Sequence, residues 1–249
     1  MYQKERLDGI LHIVEKYGYV TVKYLVSELH YSNATINRDL NALEEQKLIK
    51  RTYGGVELAV KKETVLPFRY HQMKGEKMKI CKAAAELVND GDSIFIDAST
   101  TTEYMMRFLT EKKNITVITN NMAIVTYLSE HNIRVICLGG EVKEPPCMLD
   151  GAVTVENAMR YHVDKLFFAT GYVSEEGKIG AGEAYYLLQR VMSENADEVY
   201  YLADHEKLER SIQVRRVIMD LSKVKGVITD FDFPERTKKK YPQTQFIKV

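Results

Sequence analysis

Apolar residues recur at helical spacing in two segments near the N-terminus of the chain. The first segment covers residues 3–16 and is followed by Gly18, a residue type that commonly ends helices. The second covers residues 22–29, and Thr21 stands where its hydroxyl can cap the first turn. The pattern predicts two consecutive helices joined by a strand-like link over residues 19–21.

A third helical pattern begins after Ser32, whose hydroxyl can accept a hydrogen bond from an amide of the first turn. Ile36, Leu40 and Leu43 form one apolar stripe of this predicted helix. The other side is polar and consists of Asn33, Asn37, Arg38 and Asn41. Because Asn pairs with adenine edges and Arg with guanine edges or phosphates, this side suits the major groove of DNA. A solvated surface helix would show the same pattern, so the helix alone leaves both interpretations open.

The segment 48–58 reads as two short strands around Gly54 and Gly55, which is typical of a β-hairpin. A hairpin placed directly behind a helix-turn-helix completes a winged helix, and this order favours DNA binding over a merely structural hairpin. Lys50, Arg51 and Tyr53 lie on or near the tip of this hairpin, where they can hold phosphates. The predicted DNA-contacting residues are Ser32, Asn33, Thr35, Asn37, Arg38, Lys50, Arg51 and Tyr53.

From Gly75 onward, predicted helices alternate with short apolar strands, the pattern of a parallel sheet flanked by helices. Residues 59–74 carry charges, Pro67 and little periodicity, and we interpret them as a linker. We therefore expect a winged helix-turn-helix DNA-binding domain over residues 1–58 and a larger, doubly wound, mostly parallel α/β domain over residues 75–249.

Polar and glycine residues cluster at the carboxyl ends of the predicted strands, the edge at which open α/β sheets bind ligands. The most informative cluster is Ser99-Thr100-Thr101-Thr102, which precedes a predicted helix over residues 103–109. Free amides at a helix start, together with several hydroxyls, favour an anion and most often a phosphate. Simple N-capping is the alternative, although it requires only one of the four hydroxyls. Asn120 and Asn121 end the next strand and either bind sugar hydroxyls or cap the following helix.

The composition is that of an ordinary globular protein, with 45% hydrophobic and 28% charged residues. The 35 basic and 35 acidic residues balance, so nucleic-acid binding has to come from the placement of charges rather than from a net excess. Cysteines and histidines without metal-ligand spacing argue against a metal site, and no cofactor is expected. The chain has no signal-peptide pattern and no apolar run of membrane-spanning length, so we expect a cytoplasmic protein.

Seven short stretches, in this order, resemble the DeoR-type bacterial transcription regulators. They are SNATINRDLNAL at 32–43, RTYGGV at 51–56, DASTTT at 97–102, TNN at 119–121, LGGE at 138–141, LADHEK at 202–207 and ITD at 228–230. The resemblance implies a winged helix followed by an effector-sensing domain with the ribose-5-phosphate isomerase fold. It also implies a repressor of carbohydrate-metabolism genes that binds double-stranded operator DNA as a homodimer or homotetramer and responds to a phosphorylated sugar or related metabolite.

The same resemblance implies an effector pocket in which the threonines form the phosphate cradle. The predicted effector-binding residues are Asp97, Ser99, Thr100, Thr101, Thr102, Asn120, Asn121, Gly139, Gly140, Glu183, Asp204 and Lys207.

The sequence departs from the family pattern at several positions. Ser99 stands where the family commonly has glycine, which bears on the shape of the pocket, and Asn37 stands where it commonly has arginine, which bears on the base that is read. The alternative function is a sugar-phosphate isomerase-like enzyme in which Glu183 and Lys207 transfer protons. A complete winged helix has no use in such an enzyme, and no acids surround Thr170, so we expect a regulator rather than an enzyme.

Overall fold

A computed structural model describes residues 3–17, 19–52, 54–59, 73–143, 148–181, 186–208 and 216–249 of the chain. The chain divides into two compact units, Met1–Lys74 and Gly75–Val249. Most of the predicted linker lies outside the described residues. None of the described helices is long and apolar enough to cross a membrane.

The described residues of the N-terminal unit form three helices and a small sheet. The helices are α1 (Gln3–Tyr17), α2 (Val22–Leu29) and α3 (Asn33–Glu45), and the strands are β1 (Tyr19–Thr21), β2 (Ile49–Thr52) and β3 (Gly55–Leu58). The strands pair antiparallel in the order β1-β3-β2. The predicted helices and hairpin are therefore confirmed, and the predicted link is a third strand of the sheet.

Local capping explains where these helices begin and end. Thr21 accepts a hydrogen bond from the Tyr24 amide at 3.1 Å, and Ser32 accepts one from the Thr35 amide at 3.1 Å. His30 follows α2 with a φ of 56°, a left-handed conformation that ends the helix. Both N-caps are as predicted.

The core of this unit contains a charged residue as well as the predicted stripe of α3. Ile36 and Leu40 are fully buried, and so is Asp39 between them in the sequence. The Asp39 carboxylate accepts two hydrogen bonds from Arg6 of α1, from Nε at 2.8 Å and from Nη2 at 3.0 Å. This ion pair ties α1 to α3.

Strands and helices alternate through most of the C-terminal unit. The strands are β4 (Ser93–Ile96), β5 (Thr116–Thr119), β6 (Arg134–Cys137), β7 (Glu141–Lys143), β8 (Met148–Asp150), β9 (Val163–Phe168), β10 (Tyr172–Val173), β11 (Lys178–Ala181), β12 (Ala196–Ala203), β13 (Arg216–Asp220), β14 (Gly226–Thr229) and β15 (Gln245–Lys248). The helices are α4 (Lys74–Glu86), α5 (Met106–Leu109), α6 (Met122–Glu130), α7 (Ala152–Ala158), α8 (Tyr186–Glu194) and α9 (Glu235–Lys240), with 3-10 turns at Thr102–Met105, His205–Lys207 and Leu221–Lys223. Seven strands form one sheet in the order β15-β14-β12-β9-β4-β5-β6, and every neighbouring pair is parallel.

Both faces of this sheet are covered, because successive strand residues point to opposite sides. Phe95 packs in one core cluster with residues of α7 and α8 such as Val155 and Met192. Its neighbours Ile94 and Ile96 pack in a second cluster with residues of α4 and α6. The unit is therefore doubly wound with a parallel sheet, as predicted.

The strand order reverses between β4 and β9. From β4 the sheet continues through β5 and β6 on one side, whereas β9 is followed by β12, β14 and β15 on the other. Chain connections diverge at such a switch point and leave a crevice beyond the carboxyl ends of the two strands. The residues that follow β4 and β9 are Asp97 and Ala169.

Parts of this unit differ from the prediction. The helix predicted over 103–109 begins instead as the 3-10 turn Thr102–Met105, and only Met106–Leu109 is α-helical. Two small antiparallel sheets, β10-β11-β13 and β7-β8, were not predicted. Apart from β13, their strands are only two to four residues long, which is too short for hydrophobic periodicity to reveal them.

Candidate DNA-binding face and effector site

The exposed side of α3 carries asparagines at four-residue spacing, which places them along one edge of the helix. The Asn37 side chain donates to the Asn33 backbone oxygen at 2.9 Å and also to the Asn33 side-chain oxygen. Asn41 extends the row by one more turn. Arg38 lies beside this row, is exposed, and makes no hydrogen bond or ion pair with the described residues.

Arg51 reaches the same edge of α3 from strand β2. Because successive strand residues point to opposite sides, Arg51 shares the side of buried Ile49, while Lys50 points to solvent. The Arg51 guanidinium donates from Nη1 to Asn41 Oδ1 at 2.6 Å and from Nη2 to Asn37 Oδ1. The sequence grouped Arg51 with Lys50 at the hairpin tip, whereas the structure places the Arg51 charge against α3.

The other predicted DNA contacts lie at the start of α3 and on the hairpin. The Ser32 and Thr35 hydroxyl oxygens are 2.9 Å apart in the first turn of the helix. Lys50 is exposed and has no partner in the part of the chain that the structure describes. Tyr53 lies outside the described residues.

At the switch point of the sheet, Asp97 is buried and accepts three hydrogen bonds. Thr102 Oγ1 donates to its Oδ1 at 2.7 Å. Gln189 Nε2 and the Ala169 amide donate to its Oδ2 at 2.9 and 3.3 Å. Burial nevertheless raises the pKa of Asp97 to about 6, because removal from water disfavours the carboxylate more than these bonds stabilise it. Asp97 thus joins the ends of β4 and β9 to α8.

In the 99–102 segment, the hydroxyls of Ser99, Thr100 and Thr102 are bonded within the protein. Ser99 Oγ accepts a hydrogen bond from the Thr102 amide at 3.0 Å, and the two hydroxyl oxygens lie 2.7 Å apart. Thr100 Oγ1 accepts a hydrogen bond from Lys77 Nζ at 3.2 Å. The segment therefore forms a hydroxyl-lined turn that touches one cation.

Lys77 of α4 was not among the predicted site residues, and it is only 1% exposed. One turn further along α4, the Cys81 thiol donates to the Thr101 carbonyl at 2.9 Å, and burial raises the pKa of Cys81. α4 therefore holds the hydroxyl segment at two points. Lys77 lies on the same buried stripe of the helix as Ile80 and Ala84. A lysine at an apolar position of the helical pattern was therefore the feature of the sequence that could have identified it as a site residue.

Asn120 and Asn121 follow β5 and have different roles. Asn121 caps α6, because its Oδ1 accepts hydrogen bonds from the amides of Ala123 at 2.8 Å and Ile124 at 3.2 Å. Asn120 is buried and donates from Nδ2 to the Leu149 carbonyl at 2.8 Å. Its Oδ1 has no hydrogen-bond partner among the described residues.

Hydrogen-bond acceptors and apolar side chains together line a small crevice beside β4 and β5. The lining consists of Asp97, Ala98, Asn120, Met148, Asp150, Leu188 and Gln189. Gln189 of α8 is a second site residue that the sequence did not predict, and its buried Oε1 also lacks a partner within the described ranges. Since carboxylate and amide oxygens accept hydrogen bonds, this lining fits a ligand that presents hydroxyl groups or other donors.

Two glycines after β6 adopt left-handed backbone conformations, with φ of 69° at Gly139 and 119° at Gly140. A Cβ on Gly140 would lie 2.0 Å from Thr154 Oγ1 and 2.7 Å from the Asp150 carbonyl oxygen. A Cβ on Gly139 would meet nothing within 4 Å. Gly140 is therefore required by close packing against α7 and β8, whereas Gly139 is required only by its φ.

The Gly140→Ala variant is expected to destabilise the C-terminal unit more than Gly139→Ala does. Both variants place a side chain in a left-handed conformation, at a cost of roughly 1–2 kcal/mol. Only the methyl group introduced at position 140 overlaps backbone and side-chain atoms. Gly140→Ala should therefore lose more unfolding free energy than Gly139→Ala does. Denaturant unfolding of the two variants measures the difference. Equal losses would mean that the strand end and α7 have room to separate.

The end of β12 contributes a second buried carboxylate. Asp204 accepts a hydrogen bond from the Glu206 amide at 3.1 Å, while its Oδ2 has no partner in the described part of the chain. Lys207 ends the 3-10 turn that Asp204 caps. Beside them, a hydrogen bond to Asp230 raises the pKa of the His205 imidazole.

The predicted effector residues are thus distributed along one edge of the sheet. Asp204 and Lys207 follow β12, at the same carboxyl edge as Asp97, Asn120 and the glycines. Glu183 lies outside the described residues.

A winged helix with an exposed polar face and an α/β unit with a buried polar crevice are the two parts of a DNA-binding regulator with a sensor unit. The family model described as "DeoR C terminal sensor domain" matches residues 72–231, and the one described as "DeoR-like helix-turn-helix domain" matches residues 6–62. The chain belongs to the DeoR family of transcriptional regulators. The resemblance noted from its motifs is confirmed.

Curated relatives are similar over most of their length. The HTH-type transcriptional repressor GlcR of Bacillus subtilis is 36% identical over 84% of this chain and 81% of its own. The glycerol-3-phosphate regulon repressor of Escherichia coli is 30% identical over 92% of each chain. The lactose phosphotransferase system repressor of Lactococcus lactis is 31% identical over 84% of this chain and 85% of its own.

Among solved structures, ribose 5-phosphate isomerase A of Methanocaldococcus jannaschii superposes on 55% of each chain with a TM-score of 0.41 and 21% identity. A similarity at this level says nothing about activity.

Proposed function

We propose that this protein represses carbohydrate-metabolism genes and that a phosphorylated sugar or related metabolite changes its affinity for operator DNA. The crevice at the switch point of the sheet, with its buried hydrogen-bond acceptors, is the observation that carries the sensor part of this proposal. Its acceptors Asn120 Oδ1 and Gln189 Oε1 have no partner among the described residues, and buried acceptors are costly unless a ligand or an ordered water satisfies them.

The two ends of the proposed effector have different chemistry. Hydroxyl groups of a sugar can donate to the Asn120 and Gln189 side chains. A phosphate suits the turn beside Thr100, because the Lys77 ammonium lies there and phosphate attracts a cation and hydroxyl donors. The names of two relatives, a glycerol-3-phosphate regulon repressor and a lactose phosphotransferase system repressor, agree with an effector of this class.

On the DNA side, α3 would lie in the major groove and the hairpin would contact the backbone. We propose that a homodimer or homotetramer binds a repeated or palindromic operator. Effector binding then shifts the population between arrangements that bind DNA with different affinity, with a coupling of roughly 1–3 kcal/mol. The proposal includes no catalysis, and the relatives above are transcriptional regulators.

A thermal-shift screen over sugar phosphates tests the sensor part, because a ligand that binds the folded state raises the apparent melting temperature by mass action. Each hit is compared with its unphosphorylated sugar and then added to a gel shift with operator DNA. We expect a phosphorylated hit to alter operator affinity in the wild type and less so in Thr100→Val, which loses the hydroxyl that Lys77 contacts. If no sugar phosphate shifts the melting temperature or operator affinity, the sensor proposal is wrong.

Lys50→Ala is expected to weaken binding to every DNA duplex alike. The Lys50 ammonium is exposed and lies on the side of β2 opposite to Arg51, which contacts α3, so we assign it to a phosphate rather than to a base. Loss of one phosphate contact should reduce the slope of log K against log salt by about 1. Lys82→Ala removes an exposed lysine of α4 and serves as the control. A loss confined to one DNA sequence would contradict a phosphate contact.

A further inference from the structure

Two arginines of the N-terminal unit contact α3, and they have different surroundings. Arg6 is paired with the buried Asp39 carboxylate through two hydrogen bonds, so its charge is neutralised inside the fold. Arg51 is held by the neutral side chains of Asn37 and Asn41 and makes no ion pair with any described residue. Among the described residues, therefore, no carboxylate is bonded to the Arg51 guanidinium at the edge of the helix.

The bonds that hold Arg51 leave part of its guanidinium unused. A guanidinium carries five N–H donors, and one donor on each terminal nitrogen is taken by the asparagines. The remaining donors have no acceptor in the described ranges. The Arg51 backbone is fixed as well, because its amide donates to Glu44 Oε1 at 3.1 Å. The group is thus oriented before any DNA arrives, which lowers the ordering cost of binding.

Asn37, in contrast, is not free to read a base by itself. Its Oδ1 accepts from Arg51, and its Nδ2 donates to the backbone and side-chain oxygens of Asn33. A two-bond contact to adenine requires both the oxygen and the nitrogen of the amide. Asn37 and Asn41, which we call the asparagine row, therefore contribute to DNA recognition by holding Arg51 in place.

We propose that Arg51, although it belongs to the hairpin, reads a guanine in the major groove, and that Asn37 and Asn41 are its positioning residues. Two guanidinium N–H groups match the O6 and N7 acceptors of guanine, which is the commonest specific arginine contact with DNA. Lys50, on the opposite side of the same strand, remains a phosphate contact. This inference rests on the proposed operator binding.

The test begins with the full-length protein and a random-sequence pool of double-stranded DNA, from which the wild type selects its preferred duplex. Fluorescence anisotropy then gives the affinity of each variant for that duplex, for duplexes with single base-pair changes and for a scrambled duplex. We expect Arg51→Ala to lose about 10- to 100-fold in affinity for the selected duplex and to lose discrimination at one G·C pair. Its affinity for the scrambled duplex should stay close to that of the wild type, which also shows that the unit is folded.

Two further comparisons separate base reading from charge. Replacing the guanine with 7-deazaguanine removes the N7 acceptor, so it should weaken the wild type but have little effect on Arg51→Ala. Arg51→Lys keeps the charge but cannot form the two-bond contact, so it should not restore discrimination.

Asn41→Ala should reduce discrimination at the same pair by less than Arg51→Ala does, and Lys82→Ala should match the wild type.

Several results would overturn the inference. If Arg51→Ala weakens all duplexes equally, or Arg51→Lys restores the affinity, Arg51 is a phosphate contact. If Asn41→Ala leaves discrimination intact, the asparagine row does not position the arginine. A wild type that selects no sequence would overturn the proposed operator binding itself, which is a separate outcome.

Discussion

Replacing Arg6 with alanine is expected to destabilise the N-terminal unit strongly. Asp39 is fully buried and both of its carboxylate oxygens accept hydrogen bonds from Arg6, so the variant leaves a buried charge without its partner. Removing one member of such a pair is among the costliest single substitutions. We expect the melting temperature of this unit to fall by more than about 10 °C. Hydrogen–deuterium exchange of full-length protein should show faster exchange in α1 and α3.

Asp39→Asn provides the matched control for this prediction. The Arg6 side chain is 16% exposed, so it can turn toward water when its partner is neutral, and asparagine retains one acceptor at the same position. We therefore expect a smaller loss of stability than in Arg6→Ala. If the two variants are equally stable, the cost of burying the Asp39 charge is not what makes Arg6 important. Operator binding should fall with the folded fraction, because α3 carries the proposed DNA contacts.

Local signals in the sequence were sufficient to predict the three N-terminal helices and the parallel sheet. Caps such as Ser32 and stripes such as Ile36 and Leu40 act within a few residues of one another, so they can be read from a short window. Contacts between distant residues cannot be read in this way. Asp39 follows Arg38 and looks like a solvated charge until Arg6, on another helix, is brought against it.

The same limit applies to the effector crevice. The rule that polar residues collect at the carboxyl ends of parallel strands led to Asp97 and Asn120, which line the crevice. Lys77 and Gln189 lie inside helices, where such residues usually face water. Their burial depends on which side of α4 and α8 packs on the sheet, and only the assembled fold determines that.

Arg51 is a third case, in which the strand was predicted but the side-chain direction was not used. Alternation along β2 already implies that Arg51 shares the side of Ile49 and not the side of Lys50. The sequence alone does not say that α3 lies on that side. The contact with Asn37 and Asn41 therefore changes the proposed role of Arg51 from a phosphate contact to a base contact.

The stability of the C-terminal unit is expected to fall as the pH rises from about 4 to about 6, because Asp97 ionises at a higher pH in the folded state than in the unfolded chain. Burial raises its pKa from the ordinary 3.8 to about 6, so the folded state retains a proton that the unfolded chain has already lost in this range. Near pH 4 the protonated Asp97 therefore stabilises the folded state. This stabilisation is lost above about pH 6, where Asp97 is ionised in both the folded and the unfolded state. A shift of this size corresponds to about 3 kcal/mol.

Asp97→Asn isolates this contribution from the other carboxylates. The asparagine places an amide where Gln189 Nε2 and the Ala169 amide both donate, so the variant loses these hydrogen bonds at every pH and residue 97 no longer titrates. The difference in unfolding free energy between wild type and variant should therefore change between pH 4 and 6 and stay constant above. A constant difference across the whole range would mean that Asp97 titrates normally.

Carbon-detected NMR of the Asp97 carboxyl gives the same quantity directly, with an expected midpoint near pH 6. Gln189→Leu should move this midpoint upward, because the hydrogen bond from Gln189 stabilises the charged form and the variant removes it. Gln245→Leu, which changes an exposed glutamine of β15, should leave the midpoint unchanged. An unchanged midpoint in Gln189→Leu would mean that this hydrogen bond does not hold the charge. The pH dependence of Asp97 would then arise from burial alone, and Gln189 would be available to the effector without altering the carboxylate beside it.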